Sequence, residues 1–127
     1  MRTVVCFRAG AGEYAVPVEQ VREVRADQAL MPLPRARPGV VGLLPIGEDA
    51  FVVVDALGAA GTQVLLLEGG TSFFGLRVEE VTGVKTVTDV GPAPAGQDDE
   101  LIDGVFTDED HLTLLVSVDK LGERIEP

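Results

Sequence analysis

This chain has no tryptophan, one cysteine (Cys6) and one histidine (His111) among 127 residues, and aromatic side chains make up only 5% of it. Each scarcity excludes something. A single histidine cannot build a His-Glu-x-x-His zinc site, and it leaves Ser72 and Ser117 without a histidine triad. A single cysteine cannot close an internal disulfide, so nothing points to an oxidising compartment. Inside the apolar run Val4 to Phe7, Cys6 reads as a small core residue. No Walker loop or G-x-G-x-x-G stretch is present, and Gly10-Ala11-Gly12 reads as a turn. Asp108-Glu109-Asp110-His111 offers ligand atoms, but neighbouring turn residues point apart and the EF-hand spacing is missing. No nucleophile–base pair, metal site or cofactor motif is assembled, so the expectation is a non-enzyme without cofactor or metal.

Positive charge is scarce as well: 10 Lys and Arg stand against 21 Asp and Glu, a net charge of −11. Phosphate backbones and anionic bilayers are bound by clustered basic residues, so neither nucleic acid nor membrane insertion is expected. The acidic surface serves solubility. No apolar run approaches the roughly 18 residues of a membrane-spanning helix. Met1-Arg2-Thr3 leads straight into a strand with no signal-peptide core, and a cytoplasmic location is expected.

What the chain does have is repetition. Tyr14-Ala15-Val16-Pro17-Val18-Glu19-Gln20-Val21-Arg22-Glu23-Val24-Arg25 matches Phe74-Gly75-Leu76-Arg77-Val78-Glu79-Glu80-Val81-Thr82-Gly83-Val84-Lys85 at an offset of 60. Thr3 to Phe7 lies over Gln63 to Leu67 at the same offset, and Val54-Asp55-Ala56-Leu57-Gly58 answers Val118-Asp119-Lys120-Leu121-Gly122. Two ordered blocks imply two copies of one small β-unit. A unit of this size buries only about 60% of its unfolded surface alone, so the copies should pack together. The expectation is one domain over 1–127, with repeat units 1–60 and 61–127 and strand exchange between them left open. The seam between the units is the default binding site.

Short β-branched runs predict strands at Val4–Arg8, Glu13–Val16, Glu23–Arg25, Val40–Ile46 and Phe51–Val54. In the second copy they fall at Val64–Glu68, Phe73–Arg77, Thr82–Val87, Leu101–Thr107 and Leu112–Val118. Val18 and Val21 are spaced for one helical turn, with Glu19 in its N-terminal half; a turn is expected at Val78–Val81. Asp55 and Asp119 read as helix N-caps, the latter opening a last turn to about Arg124. Met31 to Pro38, with Pro32, Pro34, Pro38, Arg35 and Arg37, reads as a stiff loop. Ala59–Thr62, Val90–Gln97 and Asp98-Asp99-Glu100 read as linker, flexible excursion and solvated rim.

In this order the residues resemble a known family. Phe7 to Gly12, Tyr14-Ala15-Val16-Pro17-Val18-x-x-Val21-x-Glu23-Val24, Pro34, Val40-Val41-Gly42, Val52-Val53-Val54-Asp55, Phe74-Gly75-Leu76-x-Val78-x-x-Val81, Gly104 and the Leu114-to-Leu121 ending are similar to the CheW-like domain of bacterial chemotaxis. The resemblance implies an all-β fold of two five-stranded SH3-like barrels on a shared hydrophobic core. It implies a scaffold whose partners are the cytoplasmic tip of a chemoreceptor, the regulatory domain of a CheA-type histidine kinase and other CheW-like domains. Val18, Val21 and Glu23 match the family's kinase-facing surface; Gly42, Leu44, Ile46 and Gly47 lie at its receptor-facing turn. Two departures stand out. The family's Asn-Leu-Arg-Gly turn reads Leu44-Pro45-Ile46-Gly47, and Gly91-Pro92-Ala93-Pro94-Ala95-Gly96 lacks the arginine and aromatic that flank the family's Pro-x-Pro. An accessory adaptor with weak kinase contacts, or a small-ligand sensor using the seam, are the alternatives.

Overall fold

A computed structural model describes residues 1–26, 30–33, 39–55, 57, 63–70, 72–93 and 101–125. Ten strands carry it: β1 (Arg2–Ala9), β2 (Gly12–Pro17), β3 (Val21–Ala26), β4 (Val40–Ile46), β5 (Asp49–Val54), β6 (Gln63–Gly69), β7 (Ser72–Val78), β8 (Glu80–Val87), β9 (Ile102–Asp108) and β10 (His111–Val116). A one-turn 3-10 helix, Val18–Gln20, separates β2 from β3, and one helix, α1 (Val118–Ile125), comes after β10. Each predicted strand is found, most of them longer by two or three residues; β4 matches, β9 is shifted by one and β10 is one residue shorter. Pro17, which cannot donate to a ladder, ends β2.

Two five-stranded sheets form, in the orders β8-β1-β2-β10-β9 and β3-β6-β7-β5-β4. Replacing β1–β5 by β6–β10, and the reverse, turns one order into the other. Each sheet therefore takes two strands from one half of the chain, β1 and β2 or β6 and β7, and three from the other, β8, β9 and β10 or β3, β4 and β5. The registers repeat too. Val4 faces Pro17 as Val64 faces Arg77, and the bulge between Cys6 and Phe7 against β8 recurs between Leu66 and Leu67 against β3. Backbone pairs Met31–Leu43 and Gly91–Val105, each with two hydrogen bonds of 2.8–3.0 Å, tie the open edges of each sheet and close it toward a barrel.

Burial explains why β1 and β6 are uninterrupted apolar runs. Val4 and Cys6 point into one barrel, with Ala15, Phe106 and Leu115; Val64 and Leu66 point into the other, with Leu44 and Val53. The alternate residues Val5, Phe7, Leu65 and Leu67 join a third cluster between the sheets, with Val16, Val54, Phe74, Leu76, Val116 and Leu121. Both faces of these two strands are covered, so alternation disappears from their sequence.

The end of the chain departs from the sequence reading. Ser117 caps α1: its Oγ accepts from the Lys120 amide at 3.3 Å, and Leu121 N–H donates to Ser117 C=O at 3.1 Å. Asp119 lies inside the first turn and instead accepts from Gln20 Nε2 at 2.9 Å and from Gly70 N–H at 2.8 Å. The offset explains the difference. Asp55 N–H bonds Gly39 C=O as Ser117 N–H bonds Leu101 C=O, so the counterpart of Asp55 is Ser117, 62 residues on (117 − 55), and not Asp119. The offset is still 60 at Met31 and Gly91 (91 − 31), so two residues enter between Gly91 and Leu101. Ala56 and Gly58, together with Ala59–Thr62, Pro34–Pro38, Pro94–Gln97 and Asp98–Glu100, lie outside the described residues.

Candidate protein-docking surface

The seam expected to bind a partner is filled. Its fifteen buried residues are at most 8% exposed, and it serves as core rather than as a groove. The surface that remains is made by strand ends and turns. Val18 sits on the 3-10 turn, 36% exposed. Val21, at the bulge opening β3, is half-buried and packs on the seam cluster. Glu23 is exposed and pairs with Arg25, Oε1 to Nε at 3.0 Å.

The residues assigned to the receptor-facing turn divide by depth. Gly47 is exposed at the β4–β5 turn with φ +61°, a left-handed conformation that glycine adopts without strain. Gly42 is buried against the strand leaving β3, where a Cβ would lie 2.7 Å from the Met31 carbonyl oxygen. Leu44 is fully buried inside its barrel, so its side chain cannot touch a partner; it holds the turn from beneath. Ile46 is half-buried and packs on the same cluster.

Ile46 and Glu23, assigned to different partners by resemblance, meet at one place. They line a hollow of about 180 Å³ at the mouth of the barrel formed by β3, β6, β7, β5 and β4. Phe51, Leu66 and Phe73 give it an apolar wall. Arg22 guards the rim, its guanidinium 5.6 Å from the Phe73 ring centroid and its Nε 2.9 Å from Glu68 Oε2. Phe73 is 49% exposed, a large apolar side chain left open to water.

The other barrel has the equivalent mouth, and it is different. There Cys6, Phe7, Glu13, Thr82, Asp108 and Thr113 leave about 40 Å³. By the two offsets, Glu13 stands where Phe73 does, Asp108 where Ile46 does and Thr113 where Phe51 does. Lys85 forms an ion pair with Asp108 across this mouth. Burial, reinforced by Glu13 and opposed by Lys85, raises the Cys6 thiol above its ordinary value, so it remains a neutral packing group. Among the described residues no three of His, Cys, Asp and Glu converge as metal ligands.

A family model of the CheW-like domain matches residues 3–126. The chain belongs to the CheW-like domain family. It is 25% identical over 134 residues to the chemotaxis protein CheW of Rhizobium meliloti (strain 1021), covering 94% of this chain and 86% of that protein. Its fold is similar to that of the scaffolding protein TtCheW from Thermoanaerobacter tengcongensis, with a TM-score of 0.86 at 19% identity over 94% of this chain and 86% of that one. The two five-stranded sheets are thus the paired SH3-like barrels of a CheW-like domain. No helix among the described residues is long and apolar enough to cross a membrane.

Sequence reasoning missed Phe51, Phe73 and Arg22 as surface features of this CheW-like chain, reading the phenylalanines as strand core. One signal was present: at the offset of 60, Phe73 aligns with Glu13, and a position that is charged in one copy lies at the surface in both.

Proposed function

We propose that this CheW-like chain is a non-catalytic adaptor of a bacterial chemosensory system, coupling the cytoplasmic tip of a chemoreceptor to the regulatory domain of a CheA-type histidine kinase. The family match over nearly the whole chain is the observation that supports this reading. The kinase-facing contact is assigned to Val18, Val21 and Glu23, and the receptor-facing contact to the turn carrying Ile46 and Gly47, with Gly42 and Leu44 as its buried support. Val21 is a poor probe of this surface, because an aspartate there would place a carboxylate against the core. Val18→Asp changes an exposed position only. It is expected to weaken capture of the kinase regulatory domain by roughly tenfold or more, the range of an interface anchor, with an unchanged melting temperature. Capture unaffected by Val18→Asp would remove the assignment.

The arginine and aromatic missing around Gly91-Pro92-Ala93-Pro94-Ala95-Gly96 favour a second reading, an accessory adaptor that joins receptors or other adaptors and holds the kinase weakly, and Ile46 alters the receptor-facing turn as well. An isoleucine cannot make the charge-assisted hydrogen bonds of the family's arginine at this turn. Ile46→Arg is then expected to strengthen capture of a receptor-tip fragment several-fold, since a guanidinium at this turn restores a charge-assisted donor. No gain on that substitution would argue against this role for position 46.

A further inference from the structure

Duplication gave this molecule two equivalent barrel mouths, and among the described residues only one is open and apolar. We infer that the mouth lined by Ile46, Phe51, Leu66 and Phe73 is a socket for one large apolar side chain, carried on a basic segment of a partner protein. The adaptor reading supplies the identity of that partner; the socket itself rests on the contrast between the mouths. In the β8-β1-β2-β10-β9 barrel the wall positions are Asp108, Thr113 and Glu13, and the Lys85–Asp108 ion pair lies across what space is left. In the other barrel the same three positions are Ile46, Phe51 and Phe73, and Arg25, the counterpart of Lys85, turns to Glu23 instead. On this wall Leu66 is buried and Ile46 and Phe51 are half-buried, while Phe73 stays half-exposed beside Arg22.

Size and charge select the occupant. At about 180 Å³ the hollow is smaller than the 300 Å³ or so at which metabolite pockets begin, but it has room for a single leucine, methionine or phenylalanine. Such an anchor in a water-excluding pocket is the usual centre of a protein interface. The cations at the rim are already engaged, Arg22 with Glu68 and Arg25 with Glu23. Glu48 and Asp49 project, exposed, from the turn next to Ile46, on a protein of net charge −11. A lysine or arginine beside the anchor is attracted there, and an acidic segment is repelled.

A random peptide library displayed on phage, selected on the whole protein, tests this. The enriched peptides should share one large apolar residue beside Lys or Arg. Their affinity should fall roughly tenfold or more on Phe73→Asp, a change at a half-exposed position, and should not change on Glu13→Lys at the closed mouth. No enrichment, enrichment of acidic peptides, or equal binding to Phe73→Asp would overturn the socket. Capture of a receptor-tip fragment and of the kinase regulatory domain is measured on the same variants. Absence of both captures in the unmodified protein, with Phe73-dependent peptides retained, removes the adaptor reading and leaves the socket standing.

Discussion

Single residues carry the strain and the titration of this molecule. Glu109 and Asp110 connect β9 to β10 with φ of +48° and +68°, where the equivalent β4–β5 turn places Gly47 first. Side chains with a Cβ are disfavoured in that region, whereas an Asn-Gly or Asp-Gly pair suits it. Asp110→Gly is therefore expected to raise the unfolding free energy by about 0.5–1 kcal/mol, read as a higher urea midpoint at an unchanged slope. Cys6 gives a pH dependence. Its folded pKa lies above the ordinary thiol value of 9.0 because burial disfavours the thiolate. The unfolded chain then holds fewer protons than the native one once pH rises past about 9, and stability falls there. Melting curves from pH 8 upward should decline more steeply for the natural protein than for Cys6→Ala; parallel curves would contradict this. Residue roles were the least legible part of the sequence. Ser117 was hidden as a cap because the eye aligns Asp119 with Asp55, and the two-residue slip lies in a Gly-, Pro- and Ala-rich stretch where alignment has nothing to hold. Leu44 was misplaced at the surface because a motif names positions in a turn without saying which side chain points inward.

Strands were legible almost to their ends, for a physical reason. β1 and β6 are covered on both sides, β2, β5 and β10 each send neighbouring residues into a barrel and the seam, and such burial demands Val, Leu and Ile. The joint between α1 and β6 was not legible, because it depends on two glycines meeting across a fold. A Cβ on Gly69 would collide with the Val118 carbonyl oxygen, and one on Gly122 would sit 2.9 Å from the Gly69 carbonyl oxygen. The bonds from Gln20 and Gly70 to Asp119 fix the same joint. Gly69→Ala should push α1 off its strand and cost about 1–3 kcal/mol, the range of an overpacked core, while Gly39→Ala, with open space around its Cβ but φ +90°, should cost less. Equal losses in chemical denaturation would mean that the helix does not dock as tightly as its contacts suggest.

At the scale of the whole molecule, strand exchange makes the halves interdependent. Each sheet needs strands from both copies, so neither 1–60 nor 61–127 contains a complete barrel. We expect one cooperative unfolding transition, and Leu65→Ala in the seam should lower it by about 2–5 kcal/mol without splitting it. The duplicated frame leaves two like surfaces free to diverge: one barrel mouth became polar and closed, the other apolar and open. The fold could be read from the sequence as a repeat, whereas this divergence required knowing which residues share a mouth. Above all, the surface of this chain is proposed to hold proteins and to perform no chemistry. Light scattering on the purified chain mixed with the regulatory domain of a CheA-type kinase and a receptor-tip fragment measures that holding outright. A particle whose mass equals the sum of bound partners, abolished by Val18→Asp or Phe73→Asp, is the predicted result; separate masses for every component at concentrations well above those of the cell would contradict it.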